Sequence, residues 1–299
     1  MRRFTTTVPV VLSAIILVVA FAWALFPGVF TSADPYSGTD VALQAPNSAH
    51  WFGTDAVGRD VLARVIFGAR QSLLGALIAV AVGLVLGTLL GLLAGTLRGW
   101  VDTVLMRVVD VLLSIPGILL SLSIIILLGF GSLQAAFAVG MTTVAAFARL
   151  ARSQVMTVAN SEFVEAAYGS GATTAQVLAR HVLPNSLTPV LALATLQFGT
   201  AILQLSILGF LGYGAPPPTP EWGLIIAEGR DFMATSWWLI ILPGLAIVAV
   251  VMSANYLSQR LQNREGARAL RCSISKTSRS PTAINPPSRA LACTSNPAR

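Results

Sequence analysis

Charge is what this sequence has least of: Asp, Glu, Lys and Arg together make up 10% of its 299 residues, while 55% are hydrophobic. A soluble domain carries about a quarter charged residues. The composition therefore excludes an ordinary water-soluble fold and places the chain in a bilayer. Lysine is nearly absent. The single one, Lys276, follows Ser275 in a stretch without glycine, which excludes a G-x-x-x-x-G-K-[ST] phosphate loop and ATP binding of that kind. The two cysteines, Cys272 and Cys293, stand too isolated for a metal site or a disulfide framework. His50 and His181 lie far apart and lack the partners that a metal or catalytic site requires. No catalytic residue and no metal ligand is expected.

The formal net charge of +7 is local rather than general. Residues 1–258 hold eleven Arg against eleven Asp or Glu, whereas residues 259–299 hold seven Arg and Lys276 against Glu265. That tail is rich in Ser, Pro, Ala and Arg without helical periodicity. It reads as a disordered, solvated extension, because such a composition buries too little apolar area to offset chain entropy. A body of zero net charge excludes nucleic acid as a partner, since phosphate binding needs clustered positive charge.

Crossing roughly 30 Å of hydrocarbon takes about 20 mostly apolar residues, and six segments qualify: 8–26, 71–97, 104–128, 133–150, 186–211 and 237–257. The first lies behind Arg2 and Arg3 and before Thr31-Ser32-Ala33, like a cleaved signal peptide, but its apolar core is too long for one. In the second, Gly87, Gly91 and Gly95 form a small-xxx-small ridge suited to close helix packing. Residues 111–148 carry no charge. At about 1.5 Å per residue they are too long for one crossing, so Gly129-Phe130-Gly131-Ser132 is the natural turn. Pro116-Gly117 and Pro243-Gly244 should kink the third and sixth spans.

With the N-terminus inside, Arg98, Arg107, Arg149, Arg152, Arg180 and the basic tail fall on the cytoplasmic side, and Arg59, Arg64, Arg70 and Arg230 outside, in accord with the positive-inside rule. Residues 152–185 are then cytoplasmic. In that loop Ser161 is placed to cap a short helix whose first turn carries Glu162 and Glu165, where negative charge suits the helix dipole. Gly171 can end the helix in the left-handed conformation, Thr173 with Gln176 forms a capping box for the next, and Pro184 should stop that second helix. The expected product is a helix, glycine turn, helix that presents a carboxylate beside small residues.

Glu165-Ala166-Ala167, then Gly171, then after nine residues His181-Val182-Leu183-Pro184, resembles the EAA loop of permease subunits of bacterial ABC importers, with His181 in place of a frequent apolar residue. His50-Trp51-Phe52-Gly53-Thr54-Asp55, Gly58-Arg59-Asp60-Val61-Leu62, Pro217-Pro218-Thr219-Pro220 and Ala227-Glu228-Gly229-Arg230-Asp231 resemble the external regions of dipeptide, oligopeptide and nickel importer permeases. The resemblance implies an all-α, six-helix membrane protein with the type-1 importer permease fold, in the bacterial inner membrane with both termini cytoplasmic. It implies residues 1–66 as a first membrane helix with an external loop, 67–258 as the permease domain, and 259–299 as the tail.

The same resemblance implies a homologous second permease, two ATPase subunits that hold ATP and Mg, and an extracytoplasmic substrate-binding protein; no cofactor is expected in this chain. Glu165, Ala166, Ala167, Gly171, Leu183 and Pro184 would form the ATPase-coupling loop. Trp222, Glu228, Arg230 and Asp231 would meet the binding protein, although Arg230 and Asp231 could pair with each other instead. Gln134, Gln197 and Gln204 are pathway candidates, because an amide within a membrane helix seeks a partner or a water-filled cavity. Where this family leads one to expect an acidic residue in the fifth span, Gln204-Leu205-Ser206 stands. A peptide permease is the leading expectation, with a nickel or other small-solute permease, or an ion-coupled secondary transporter, as alternatives. The last would need ionisable groups within its spans, and the cores of the second, fourth, fifth and sixth have none.

Overall fold

The computed structural model describes residues 4–97 and 99–277. Arg2, Arg3, Arg98 and Cys293 lie outside the described residues. Among the described residues the long regular elements are all helices: α1 (Phe4–Leu25), α2 (Pro27–Phe30), α3 (Val61–Leu97), α4 (Gly99–Ser114), α5 (Gly117–Leu128), α6 (Ser132–Ala159), α7 (Glu162–Gly169), α8 (Thr174–Val177), α9 (Leu183–Phe210), α10 (Trp222–Gly229) and α11 (Trp238–Thr277). Helix is what long charge-free runs must form in lipid, where each backbone N–H and C=O has to be satisfied within the segment. Among the described residues five helices are long and apolar enough to cross a membrane, or six if α4 and α5 count as one bent span, and outward-facing residues such as Val18, Leu89 and Leu245 are exposed.

The core is built on α3. Its glycines at 83, 87, 91 and 95 fall in a row against α6, whose matching residues advance in the same direction, so the two helices run parallel. Contact there is backbone to backbone: a Cβ placed on Gly91 would lie 2.4 Å from the carbonyl oxygen of Ala148. The expected small-residue ridge is therefore real, and it extends one turn further, to Gly83. Earlier on α3, Gly75 meets Leu205 of α9 and Gly68 meets Trp222 of α10, so α9 runs antiparallel to α3. The bundle thus has two ends. At one, the starts of α3 and α11 meet the segment 31–60 and α10; at the other, the ends of α3 and α6 meet α7, α8 and the start of α9.

One expectation is sharpened and two are corrected by this geometry. The third span is not one crossing rod. It is broken at Ile115-Pro116 into α4 and α5, bent by 99°, because Pro116 lacks the N–H that would continue the ladder and restricts the residue before it. Two ion pairs tie α4 to α6, Asp102 with Arg152 at 2.6 Å and Asp110 with Arg149 at 2.5 Å.

Pro184 does not stop a helix. Residues Leu178–Val182 form a π-turn between α8 and α9, closed by the Leu183 N–H on the Leu178 carbonyl. The wider turn accommodates the missing proline donor, and the side chain of Asn185 donates to the His181 carbonyl at 2.6 Å. The helical path from Thr174 to Phe210 is continuous.

Finally, the basic segment that reads as disordered is helical as far as Thr277, continuing α11 through Gln, Arg, Leu and Ala, which are strong helix formers. Residues 278–299 lie outside the described residues.

Candidate functional site

At the α7–α8 end, a hairpin is assembled by local signals. Ser161 takes the N-cap position of α7, yet its hydroxyl donates back to the Val158 carbonyl at 2.5 Å rather than capping an α7 N–H. Helix α7 closes in a Schellman turn: the Gly171 N–H reaches the Tyr168 carbonyl at 3.0 Å and the Ala172 N–H reaches Ala167 at 3.2 Å. Gly171 has φ +88°, which a side chain at Cβ disfavours. Thr173 and Gln176 then form the expected reciprocal capping box, at 3.0 and 3.4 Å. Val164, Val177 and Val182 pack with Val155 of α6 into a small core beneath the hairpin.

What remains outside is chemically distinct. Glu162, Glu165 and Ala166 are exposed, Ala167 and Leu183 are half-buried, and Gly171 and Pro184 are at the surface. Sequence reasoning missed two exposed aromatics on α7, Phe163 at 47% and Tyr168 at 46%. Tyr168 lies three residues on from Glu165, on the same helical face. The signal available was the aromatic pair itself, in a segment otherwise polar and small. The surface offers carboxylates together with exposed aromatic area, a mixture suited to protein docking.

The opposite end is organised by buried charge. Asp55 turns the chain by accepting the N–H groups of Val57 and Arg59, both at 2.9 Å, and its other oxygen binds Arg59 Nε at 2.7 Å and Arg64 Nη1 at 2.8 Å. Glu228, on α10, accepts from Arg59 Nη2 at 3.1 Å and also from Arg64 Nη1. Arg59 is 7% and Arg64 1% exposed. Asp60 caps α3 through the Ala63 N–H at 2.7 Å and meets His50 Nδ1 at 2.7 Å, so His50 has a structural place. The four charged groups cancel, as buried charges must.

The candidates for binding-protein contact are placed unequally at this end. Trp222 is wholly buried, with its indole N–H on the Val65 carbonyl at 2.9 Å, so it cannot meet a docking protein. Glu228 is committed to Arg59 and Arg64. Arg230 and Asp231 are at the surface and pair with each other at 3.4 Å. Beside them, Glu221 is buried and accepts the Ala215 N–H at 2.7 Å. Burial pushes its carboxyl above the usual carboxylate range, an effect the Ala215 N–H partly opposes. Gly209 and Gly214 make room for it: a Cβ on either would come within 2.7 and 2.5 Å of its oxygens.

The three glutamines do not converge on one point. Gln134 stands in the first turn of α6, whereas Gln197 and Gln204 are two turns apart on α9. Gln204 lies against Gly117, at the α4–α5 break, and its Oε1 is buried without a hydrogen-bond partner. No group of metal-ligating side chains occurs among the described residues.

Comparison with known proteins converges on one family. Residues 87–265 match the family described as binding-protein-dependent transport system inner membrane component. The dipeptide transport system permease protein of Alkalihalophilus pseudofirmus is 39% identical over 85% of this chain and 82% of its own length. The glutathione transport system permease protein of Shigella flexneri is 39% identical over 88% of this chain and 86% of its own. Among solved structures, an inward-facing methionine ABC transporter superposes with a TM-score of 0.55 at 19% identity, covering 66% of this chain and 94% of that one. An amino acid ABC transporter gives 0.55 at 16% identity, over 68% and 94%. These two share the fold. The chain belongs to the family of inner membrane permease components of binding-protein-dependent ABC importers.

Proposed function

We propose that this chain is the permease subunit through which di- or oligopeptides, delivered by an extracytoplasmic binding protein, pass inward by alternating access. ATP and Mg belong to two separate ATPase subunits, a homologous second permease completes the pathway, and this chain performs no catalysis. Both termini, the α7–α8 hairpin and the tail lie in the cytoplasm.

The observation that carries this reading is the hairpin: an element held by a Schellman turn and a capping box that presents Glu165 beside exposed Tyr168, with Phe163 exposed on another face of α7. Glu165 supplies the polar contact to the ATPase, the two aromatics supply apolar anchors, and Gly171 sets the angle between α7 and α8. Because α8, the π-turn and α9 form one helical path, displacement of the hairpin is delivered to α9 as motion of a rod rather than lost in a hinge. Substrate class follows from the dipeptide and glutathione permeases among the relatives. Gln197 and Gln204 on α9 then line the route, with Gln134 near its mouth; Gln204, beside the broken span, is positioned to exchange hydrogen bonds with peptide amides.

The test is uptake of labelled dipeptide into vesicles holding this permease, its partner permease and the ATPases, with the binding protein supplied outside. Glu165→Ala is expected to lower uptake per ATP hydrolysed by about tenfold or more, the effect of removing an interface anchor, with membrane insertion unchanged. Unaltered coupled uptake overturns the assignment of the hairpin.

A further inference from the structure

The excess charge of the protein is carried beyond its last membrane span. Residues 259–299 hold seven Arg and Lys276 against Glu265, which accounts for the whole formal net charge of +7. The densest part of this charge stands on a helix, because α11 runs without interruption from Trp238 to Thr277, 40 residues or about 60 Å. About 20 residues suffice to cross the hydrocarbon, and the apolar portion of α11 ends at Arg260. The basic stretch therefore begins where the bilayer ends.

Its register is one-sided. Arg264, Arg268 and Arg271 follow one another at i, i+4 and i+7, positions that share a helical face. Ala267, Leu270, Arg271 and Ile274 repeat the spacing i, i+3, i+4, i+7 on the adjoining strip. A positive stripe bordered by an apolar one matches a plane that is anionic at its surface and apolar just beneath, which is the headgroup layer of an acidic phospholipid. Nucleic acid calls for the charge but not for the apolar strip. Range sets one further condition. At physiological salt the Debye length is about 8 Å, and a helix standing straight would carry Arg271 about 20 Å past Leu257, out of reach of the headgroups. Gly266 lies between Arg264 and Arg268, and glycine is the poorest helix former after proline, so this is where the helix can turn.

We propose that residues 264–277 bind the cytoplasmic surface of the bilayer, the helix turning at Gly266, with Arg264, Arg268 and Arg271 on the phosphates of anionic lipids and Leu270 and Ile274 at the boundary of the acyl chains. The choice of the cytoplasmic leaflet rests on the orientation given under the proposed function; the attraction itself is the same for either leaflet.

The full chain carrying Cys293→Ser is labelled with a fluorophore at Cys272, its remaining cysteine, and placed in nanodiscs whose lipids bear a quencher at the headgroup. Strong quenching is expected in discs of phosphatidylglycerol and weak quenching in discs of phosphatidylcholine. Raising the salt to about 1 M, where the Debye length falls to about 3 Å, should relieve it. An arginine near an anionic surface is worth about fivefold in binding, so Arg264→Gln, Arg268→Gln and Arg271→Gln together are expected to lower the ratio of bound to free tail about a hundredfold. Equal quenching in the two lipids, or quenching that survives the triple change, overturns the proposal. Release from the anionic disc by an equal charge of single-stranded RNA overturns it too, and marks the tail as a nucleic-acid arm. Both faces of a disc carry the same lipid and no transport is read, so failure here leaves the permease reading standing, and failure of uptake leaves the lipid contact standing.

Discussion

The two ends of the bundle use charge in opposite ways. At the end built on α10, Asp55, Arg59, Arg64 and Glu228 are drawn inward and matched to one another. At the α7–α8 end, Glu162 and Glu165 stand in the open on a hairpin whose own core is four valines. Buried, matched charge fixes a position. Exposed charge on a rigid support is available to a partner. One end therefore behaves as a clamp on the fold and the other as a docking element, and changes of similar size should have unlike consequences at the two.

The largest loss of stability is expected from Arg64→Ala. It leaves Arg59 alone to balance Asp55 and Glu228, and breaking a buried pair from one side costs about 3–5 kcal/mol. Thermal unfolding in detergent would register this as a large drop, whereas a small one would mean that the cluster is far wetter than its burial indicates. Next is Gly91→Ala between α3 and α6, where the new methyl meets the Ala148 carbonyl. Overpacking of about 1–3 kcal/mol is expected, measurable as a lowered unfolding midpoint with intact secondary structure. Thr173→Ala at the hairpin removes half of a capping box, worth about 1 kcal/mol, and hydrogen exchange should report it in the α8 amides alone.

The smallest effect is one of pH dependence. Burial raises the Glu221 carboxyl above its unfolded value. Below the unfolded value both states are protonated and stability is complete. As pH rises toward and through the raised native value, the folded state holds a proton the unfolded chain has released, and stability is progressively lost. Glu221→Gln keeps an acceptor for the Ala215 N–H and removes the titration. The unfolding midpoint of this variant should therefore change less between weakly acidic and neutral pH than that of the unmodified chain; identical pH profiles would contradict the burial.

The sequence discloses what is local. Charge-free runs mark the long helices, Gly171 and the Thr173/Gln176 pair mark the hairpin turns, and glycine spacing marks the face of α3 that meets α6. Three features escaped it for physical reasons. Hydropathy measures how apolar a run is but not its direction, so Pro116-Gly117 marks a bend there without its size, 99°. Helix-breaking by Pro184 was overestimated, because a π-turn absorbs the missing donor and no sequence pattern marks such a turn. The ion cluster joins residues 169 positions apart, and no periodicity links Arg59 to Glu228. Long-range packing likewise hides Trp222 from any docking protein.

The contrast between clamp and docking element rests most directly on Gly171, where proline is excluded by a positive φ and a hydrogen-bonded N–H but no tertiary contact is lost. The decisive measurement is the ratio of peptide uptake to ATP hydrolysis for Gly171→Pro in the reconstituted complex. A ratio that collapses while the bundle retains its unfolding temperature is the expected result. A ratio equal to that of the unmodified chain would contradict the assignment of the α7–α8 hairpin as the element through which ATP hydrolysis moves α9.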